Sequence, residues 1–570
     1  MASVGSNSRE VFVEIEGKPN YLAFNPVFSA RYFNGFVPSV AFNPFLKVKN
    51  SSVLRIVTLG GSSTAGFPYQ FYYGFPEALS RQLSNLLPER KIEVINLGMT
   101  AVNSYTLWDL RHEISEINPD IVLIYAGHNE FYGSFGAGST LYSLGNSITL
   151  KRMVLRLKRT AIFTGIEKLL SPSTSKRGRP NQNSEGSDRT LMAQVVRDAS
   201  IDLGGETYTD GLEQFSKNMN DVVATFRKHQ IPVIIGSLVS NLSGQPPLGD
   251  NPEALSAFTA ATDSSCSSLD CRTSAFKNAR DLDNIRFRAP SVFNDTWKEI
   301  AQKHEAQFVD LDAVFSKNSQ SGIPGSDLFI DHLHPTQSGY ELMGAEFANV
   351  ILKGISGTVE GQPQDITTRL DPLEASHSSL LIERLLADYP FHKDRSSIQM
   401  SKISDDLVAR YRYSGSFMDS LASIMVSSPL TVSGGLVKAI HHLKNSPPSH
   451  ELLSLYQALF YWQPFNAPLM QEAVALGINF EALDLNTITL AKFGADHTDG
   501  IYFWNALGAL YLRAGRIVEA DLSLTKAESL DSRSITMLFN RARFYLAKGD
   551  TASSQAYFIR YQTAQAESQN

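Results

Sequence analysis

Five short, continuous apolar runs rich in β-branched residues lie at 53–59, 92–96, 121–126, 231–236 and 307–311. Continuous rather than alternating runs predict strands buried on both faces of a parallel sheet. Helical patterns follow them. Residues 75–87 place Phe75, Leu79, Leu83, Leu86 and Leu87 on one stripe, with Pro76 in the first turn. Residues 340–351 repeat that pattern, and Gly354 is placed to end the helix. Strands alternating with helices predict a three-layer α/β/α domain over 50–356, with 1–49 as an extension packed on it.

The third and fourth runs are separated by far more chain than one crossover helix needs, which predicts an insertion at about 132–210. Within it, 148–163 is basic and amphipathic, and 171–189 is polar and reads as a loop. The basic stretch is expected to pack its apolar stripe on the domain and leave Lys and Arg in water. Contact with a membrane surface is the other reading.

Past residue 357 strand signals vanish and helical patterns run to the end, broken by Ser-Ser-Pro at 427–429 and Ser-Pro-Pro at 446–448. A 34-residue offset relates Tyr511 to Tyr545, Gly515 to Gly549 and Leu524 to Phe558. The first copy carries Trp504, Leu507, Gly508, Tyr511, Ala520 and Ala527 and resembles the tetratricopeptide pattern. An all-α domain over 357–570 is therefore expected, with tetratricopeptide-like repeats at about 501–568. Such arrays usually bind protein segments, so a protein partner is expected there.

Composition removes several alternatives. The chain is 43% hydrophobic and 19% charged over 570 residues, which is ordinary for globular domains. A net charge of -6 gives no electrostatic case for nucleic acid as the main partner. The two cysteines, Cys266 and Cys271, cannot build a disulfide framework or a zinc site. A local bridge between them and a pair of free thiols are both compatible with their spacing. No apolar run approaches membrane-spanning length. The small polar opening reads more as an added segment than as a natural start. An extracytoplasmic or membrane-anchored location with its leader removed is expected ahead of a cytoplasmic one.

Four segments hold small or polar residues where open parallel sheets put their sites, at the C-terminal ends of strands. Thr58-Leu-Gly-Gly-Ser-Ser-Thr-Ala-Gly66 turns sharply through Gly60 and Gly61 and offers the Ser62 hydroxyl, with the Ser62 amide able to face an oxyanion. Ile330-Asp-His-Leu-His-Pro335 sets Asp331 three residues before His334, so one turn of chain can put the carboxylate on imidazole Nδ1 and leave Nε2 as base. His332 competes but lacks a carboxylate at that spacing. Asn96-Leu-Gly-Met-Thr-Ala-Val-Asn103 and Ala126-Gly-His-Asn-Glu-Phe131 lie between these and supply a backbone N–H and the Asn129 amide. No Gly-x-Ser-x-Gly elbow, Walker loop, Gly-x-Gly-x-x-Gly or HExxH occurs.

Together the four blocks resemble the SGNH hydrolases, the GDSL esterase/lipase superfamily, across roughly 50–356. The resemblance implies a flavodoxin-like five-stranded fold, with Ser62 as nucleophile, His334 as base and Asp331 as its orienter. It also implies an oxyanion hole from the Ser62 N–H, the Ala101 N–H and Asn129, with Gly98 as the fallback donor. Gly61 and Glu130 stand where the family usually has Asp, and Ala101 where it usually has Gly. Neither cofactor nor metal is called for. The expected reaction is hydrolysis of a carboxylic ester, short-chain or O-acetyl on a glycan or lipid, through an acyl-enzyme on Ser62. Acyl transfer to a sugar, and a non-catalytic scaffold working through the helical repeats, are the alternatives. Phe67-Pro-Tyr-Gln-Phe-Tyr-Tyr73 is expected to be mostly core, and Arg286 and Arg288 a structural cluster with Asp281 and Asp283.

Overall fold

The computed structural model describes residues 10–33, 37–140, 145, 147–160, 189–263, 266–356, 368–480, 485–498 and 500–569. The polar segment 171–188 and the end of the basic stretch, 161–163, lie outside the described residues. The chain divides into two compact units. The first comprises Met1–Ser80, Ile92–Glu360 and Glu374–Leu430, and the second Arg81–Lys91, Gly361–Leu373 and Thr431–Asn570.

In the first unit, β1 (Phe12–Ile15), β2 (Lys18–Phe24) and β3 (Phe45–Leu46) form a small antiparallel sheet. It is tied to the main sheet through Arg55, whose guanidinium meets Glu93 at 2.8 Å and the Leu46 carbonyl at 2.5 Å. Both charged side chains are buried, so each depends on the other to offset lost hydration.

The main sheet contains β4 (Val53–Gly60), β5 (Lys91–Asn96), β6 (Ile121–Tyr125), β7 (Val233–Gly236) and β8 (Gln307–Val309). Its order is β5-β4-β6-β7-β8, the flavodoxin-like 2-1-3-4-5 arrangement of a parallel sheet. Every residue of β4 and β6 is buried, as their unbroken apolar runs require. The flanking helices include Phe75–Leu86, Ser104–Glu116, Glu206–Lys228, Ser291–His304 and Gln337–Ser356. This is the three-layer α/β/α fold expected from the sequence. The last of these helices ends at Ser356, near Gly354 as expected.

The insertion helix Ile148–Lys158 differs from the sequence expectation. Lys151 and Lys158 are buried together with Leu155, while Leu150, Met153 and Leu157 face outward. The ammonium groups find backbone acceptors inside: Lys151 Nζ donates to the Phe135 carbonyl at 2.9 Å, and Lys158 Nζ to the Arg31 carbonyl at 2.7 Å. Those bonds offset the desolvation that pushes Lys151 down to about 8. Hydropathy alone cannot see such acceptors, so two lysines join Leu155 on the packed face while Arg156 stays in water, as expected. Cys266 and Cys271 are joined as a disulfide.

The second unit is helical. Helices Ile501–Arg513 and Ile517–Leu530 form a hairpin, and Ile535–Ala547 with Thr551–Gln569 forms the next. Gly508 permits the close approach within the first hairpin, since a Cβ there would lie 2.5 Å from the Leu524 side chain. Ala527, Met537 and Leu538 make a buried cluster on which Trp504, Tyr557 and Tyr561 pack.

Candidate active site

Strand β4 ends at Gly60, and the chain turns directly into the one-turn helix Ser62–Ala65. A side chain at Gly60 would strike Thr64 Oγ1 and the Tyr125 carbonyl, each 2.1 Å from a built Cβ. Only glycine lets the turn close this tightly against β6. Ser62 and Asn129 therefore emerge from adjacent strands, at the sheet's topological switch point.

The structure brings Ser62, His334 and Asp331 together. Ser62 Oγ lies 2.7 Å from His334 Nε2, and His334 Nδ1 lies 2.6 Å from Asp331 Oδ2. Asp331 Oδ1 accepts the backbone N–H groups of Leu333 and His334, both at 2.8 Å. The aspartate thus folds its own loop into a turn that presents the histidine. Asn241 clamps the loop from outside: its N–H donates to the His332 carbonyl at 3.0 Å, and its Nδ2 to the Asp331 carbonyl at 3.0 Å. Burial by itself would raise the Asp331 carboxyl. The charges of His334 and His332 and their hydrogen bonds prevail and hold it well below the usual carboxylate range.

His332 does reach a carboxylate, contrary to its spacing in the sequence: Nδ1 is 3.3 Å from Asp331 Oδ1. Burial lowers its pKa, and among the described residues neither ring nitrogen makes a hydrogen bond of good geometry. It is His334, not His332, that meets Ser62. Asp331, His332 and His334 are the one metal-ligand-like group among the described residues. Both nitrogens of His334 are engaged with Ser62 and Asp331, which is the geometry of a serine-activating relay.

The donors expected to form an oxyanion hole lie on two loops. Asn129 Nδ2 lies flush against the turn before Ser62, 2.7 Å from where a Gly61 Cβ would stand. Ala101 adopts φ 56°, the left-handed region, so alanine occupies a conformation more natural to glycine. The described hydrogen bonds give no protein acceptor to the Ala101 N–H or to Asn129 Nδ2. Gly98, by contrast, is spent, because its N–H donates to Asn96 Oδ1 at 2.8 Å. Asn96 Nδ2 in turn donates to the Thr64 carbonyl at 3.0 Å, locking this loop to the helix that begins at Ser62.

Aromatic residues frame the site. Tyr69, Phe71, Tyr72 and Tyr73 are core, as expected. Half-buried Phe67 instead lies across His334, with ring centroids 4.6 Å apart, and Tyr340 Oη holds its carbonyl at 2.6 Å. Two contributors carried no motif signal. Phe391 sits edge-on to His332 at 5.5 Å, and His128 accepts the Ala289 N–H at 3.1 Å through Nδ1. Burial pushes His128 down to about 3, so it is a neutral prop. Arg288 pairs with buried Asp283 at 3.2 Å, and Arg286 Nε donates to the Ile201 carbonyl, so both arginines are structural.

The GDSL-like Lipase/Acylhydrolase family matches residues 58–342, half of the chain. The chain belongs to this family, and it is a hydrolase. No curated protein matches it. Among solved structures it is similar to the acetyl xylan esterase AlAXEase, at 12% identity and TM-score 0.28, over 52% of this chain and 98% of that one. Axe2, an acetylxylan esterase from Geobacillus stearothermophilus, is 14% identical with TM-score 0.28, over 54% and 96%. The lipase/acylhydrolase from Enterococcus faecalis is 18% identical with TM-score 0.27, over 53% and 95%.

Proposed function

We propose that the protein is a serine esterase that hydrolyses short-chain carboxylic esters, O-acetyl groups on a glycan first among them, through an acyl-enzyme on Ser62. The observation carrying this reading is the continuous chain from Ser62 Oγ through His334 to Asp331, at 2.7 and 2.6 Å. His334 Nε2 takes the Ser62 proton as Oγ attacks the ester carbonyl. Charge gathering on the carbonyl oxygen is met by the Ser62 N–H, the Ala101 N–H and Asn129 Nδ2. The carbon–oxygen bond to the alcohol breaks, and His334 returns its proton to the departing oxygen. Water then attacks the acyl-enzyme with His334 again as base, releasing the acid and restoring the Ser62 hydroxyl.

Two features favour a small acyl group on a sugar. Ser62 is only 7% exposed, with the Phe67 ring across the neighbouring imidazole. Half-buried Phe67 and Phe391 also offer flat apolar faces of the kind that stack on pyranose rings. A p-nitrophenyl ester series from acetate to decanoate, run beside an acetylated oligosaccharide, tests the reading. Turnover should be greatest with acetyl groups and should vanish in Ser62→Ala. Undiminished activity in that variant rejects Ser62 as nucleophile, and a preference for long chains rejects the substrate class.

A further inference from the structure

The residue after Asn129 is a carboxyl with no exposed surface. Glu130 Oε1 accepts from Ser104 Oγ at 2.7 Å, and Oε2 accepts from the Ser104 N–H at 3.1 Å. Ser104 opens the helix that follows the Ala101 loop, and Asn103 caps that helix by accepting from the Tyr105 N–H at 3.2 Å. One carboxyl therefore joins the loop that offers the Asn129 amide to the loop that offers the Ala101 amide. We propose that Glu130 is a positioning residue, a strut that sets the spacing between the two halves of the oxyanion hole. The inference rests on the esterase reading above.

The strut is braced at both ends. On its own side, Gln214 Nε2 donates to the Glu130 carbonyl at 2.9 Å, and the Glu130 N–H donates to the Gly127 carbonyl at 3.2 Å. Gln214 is held in turn by Lys151, whose Nζ lies 3.3 Å from its Oε1. On the far side, Asn218 Nδ2 donates to Ser104 Oγ at 2.8 Å, so the hydroxyl keeps its proton for Glu130. A second, backbone link runs in parallel, from the Ser134 N–H to the Ala101 carbonyl at 2.9 Å. Ala101 itself is held in the left-handed region, where an unbraced alanine would relax.

The cost of this arrangement argues that it has a use. A carboxyl fully removed from water is expensive: burial pushes Glu130 up to about 8 even against the Ser104 bonds and the Lys151 charge, which favour its ionised form. Apolar packing would fill the same volume at less cost, but it could not fix two loops through directional bonds.

Glu130→Gln, Ser104→Ala and Asn129→Ala, singly and in pairs in the full chain, test the strut with p-nitrophenyl acetate. Glu130→Gln should lower kcat about tenfold to a hundredfold while KM stays within about twofold. Ser104→Ala, a smaller change, should act in the same direction and add nothing to Glu130→Gln. Once Asn129 is alanine there is no spacing between two donors left to set, and with Ala101 still held by the Ser134 link Glu130→Gln should cost less than about threefold. An unchanged kcat in Glu130→Gln overturns the proposal, as does a loss that is fully retained on the Asn129→Ala background. If Glu130→Gln fails to fold, Ser104→Ala with its own Asn129 pair decides by the same criteria. Failure of the esterase reading looks different, because the wild-type chain would then ignore a fluorophosphonate probe and turn over no ester.

Discussion

The two sides of the candidate site are built by different means. The Asp331–His334 side is local: one carboxylate takes two backbone N–H groups and an imidazole within four residues. The proposed oxyanion side is assembled from afar, because Ala101 and Asn129 sit on separate loops joined through Glu130 and Ser104, 26 residues apart. A local turn can be specified by a short motif. A pair of donors on different strands needs a buried polar framework, and that framework is where replacement should do graded rather than total damage.

The comparison would break most visibly at Asp331. Asp331→Asn leaves the turn able to form but removes the carboxylate that fixes the His334 tautomer, and kcat should fall about 10⁴-fold. Steady-state kinetics with an acetate ester would check it, and a fall below about tenfold would mean that His334 does not depend on this partner. Asn129→Ala takes one donor from the other side, and kcat should drop about 10²- to 10³-fold while fluorophosphonate labelling of Ser62 persists. If labelling vanished too, the two sides would not be separable.

A third test concerns how the nucleophile loop is held rather than what it does. Gln70 donates its N–H to Glu374 at 3.1 Å, and its side chain lies 3.4 Å from His377 Nδ1. Burial pushes His377 down to about 4. The folded protein thus binds this proton less readily than the unfolded chain, so the associated stability is present above about 6.5 and is lost as pH falls toward 4. The shift corresponds to about 3 kcal/mol. Urea unfolding across that range should show a shallower loss in His377→Gln than in the wild type. Parallel curves would assign the acid sensitivity elsewhere.

The smallest effect belongs to Ala101. Its left-handed φ is costly for alanine, so Ala101→Gly should raise the unfolding free energy by about 0.5–1 kcal/mol and leave kcat almost unchanged. A lower urea midpoint would show that the alanine methyl contributes packing that outweighs its strain.

Much of this architecture was legible in the sequence, for identifiable reasons. β4 and β6 announced themselves because strands buried on both faces must be uniformly apolar. Ser62, Asp331 and His334 were legible because a glycine turn and a three-residue spacing each encode a local conformation. Asn129 was legible as part of a block, yet its neighbour Glu130 was noted only as a departure from the family pattern. Nothing nearby in sequence reveals that its partner is Ser104. Phe391 left no trace, since aromatic residues are common in helical regions and its contact with His332 spans 59 positions. The insertion helix was misread because hydropathy counts side chains and ignores the carbonyls they meet.

That helix has a consequence for how the chain can drift over evolutionary time. With Lys151 and Lys158 turned inward onto carbonyls and Leu150, Met153 and Leu157 turned out, the usual rule of substitution is reversed at those five positions. Positions 151 and 158 should resist exchange for leucine, while 150, 153 and 157 are free to wander among polar residues. A lineage judged by hydrophobic content alone would look as though it were decaying there when nothing structural had been lost.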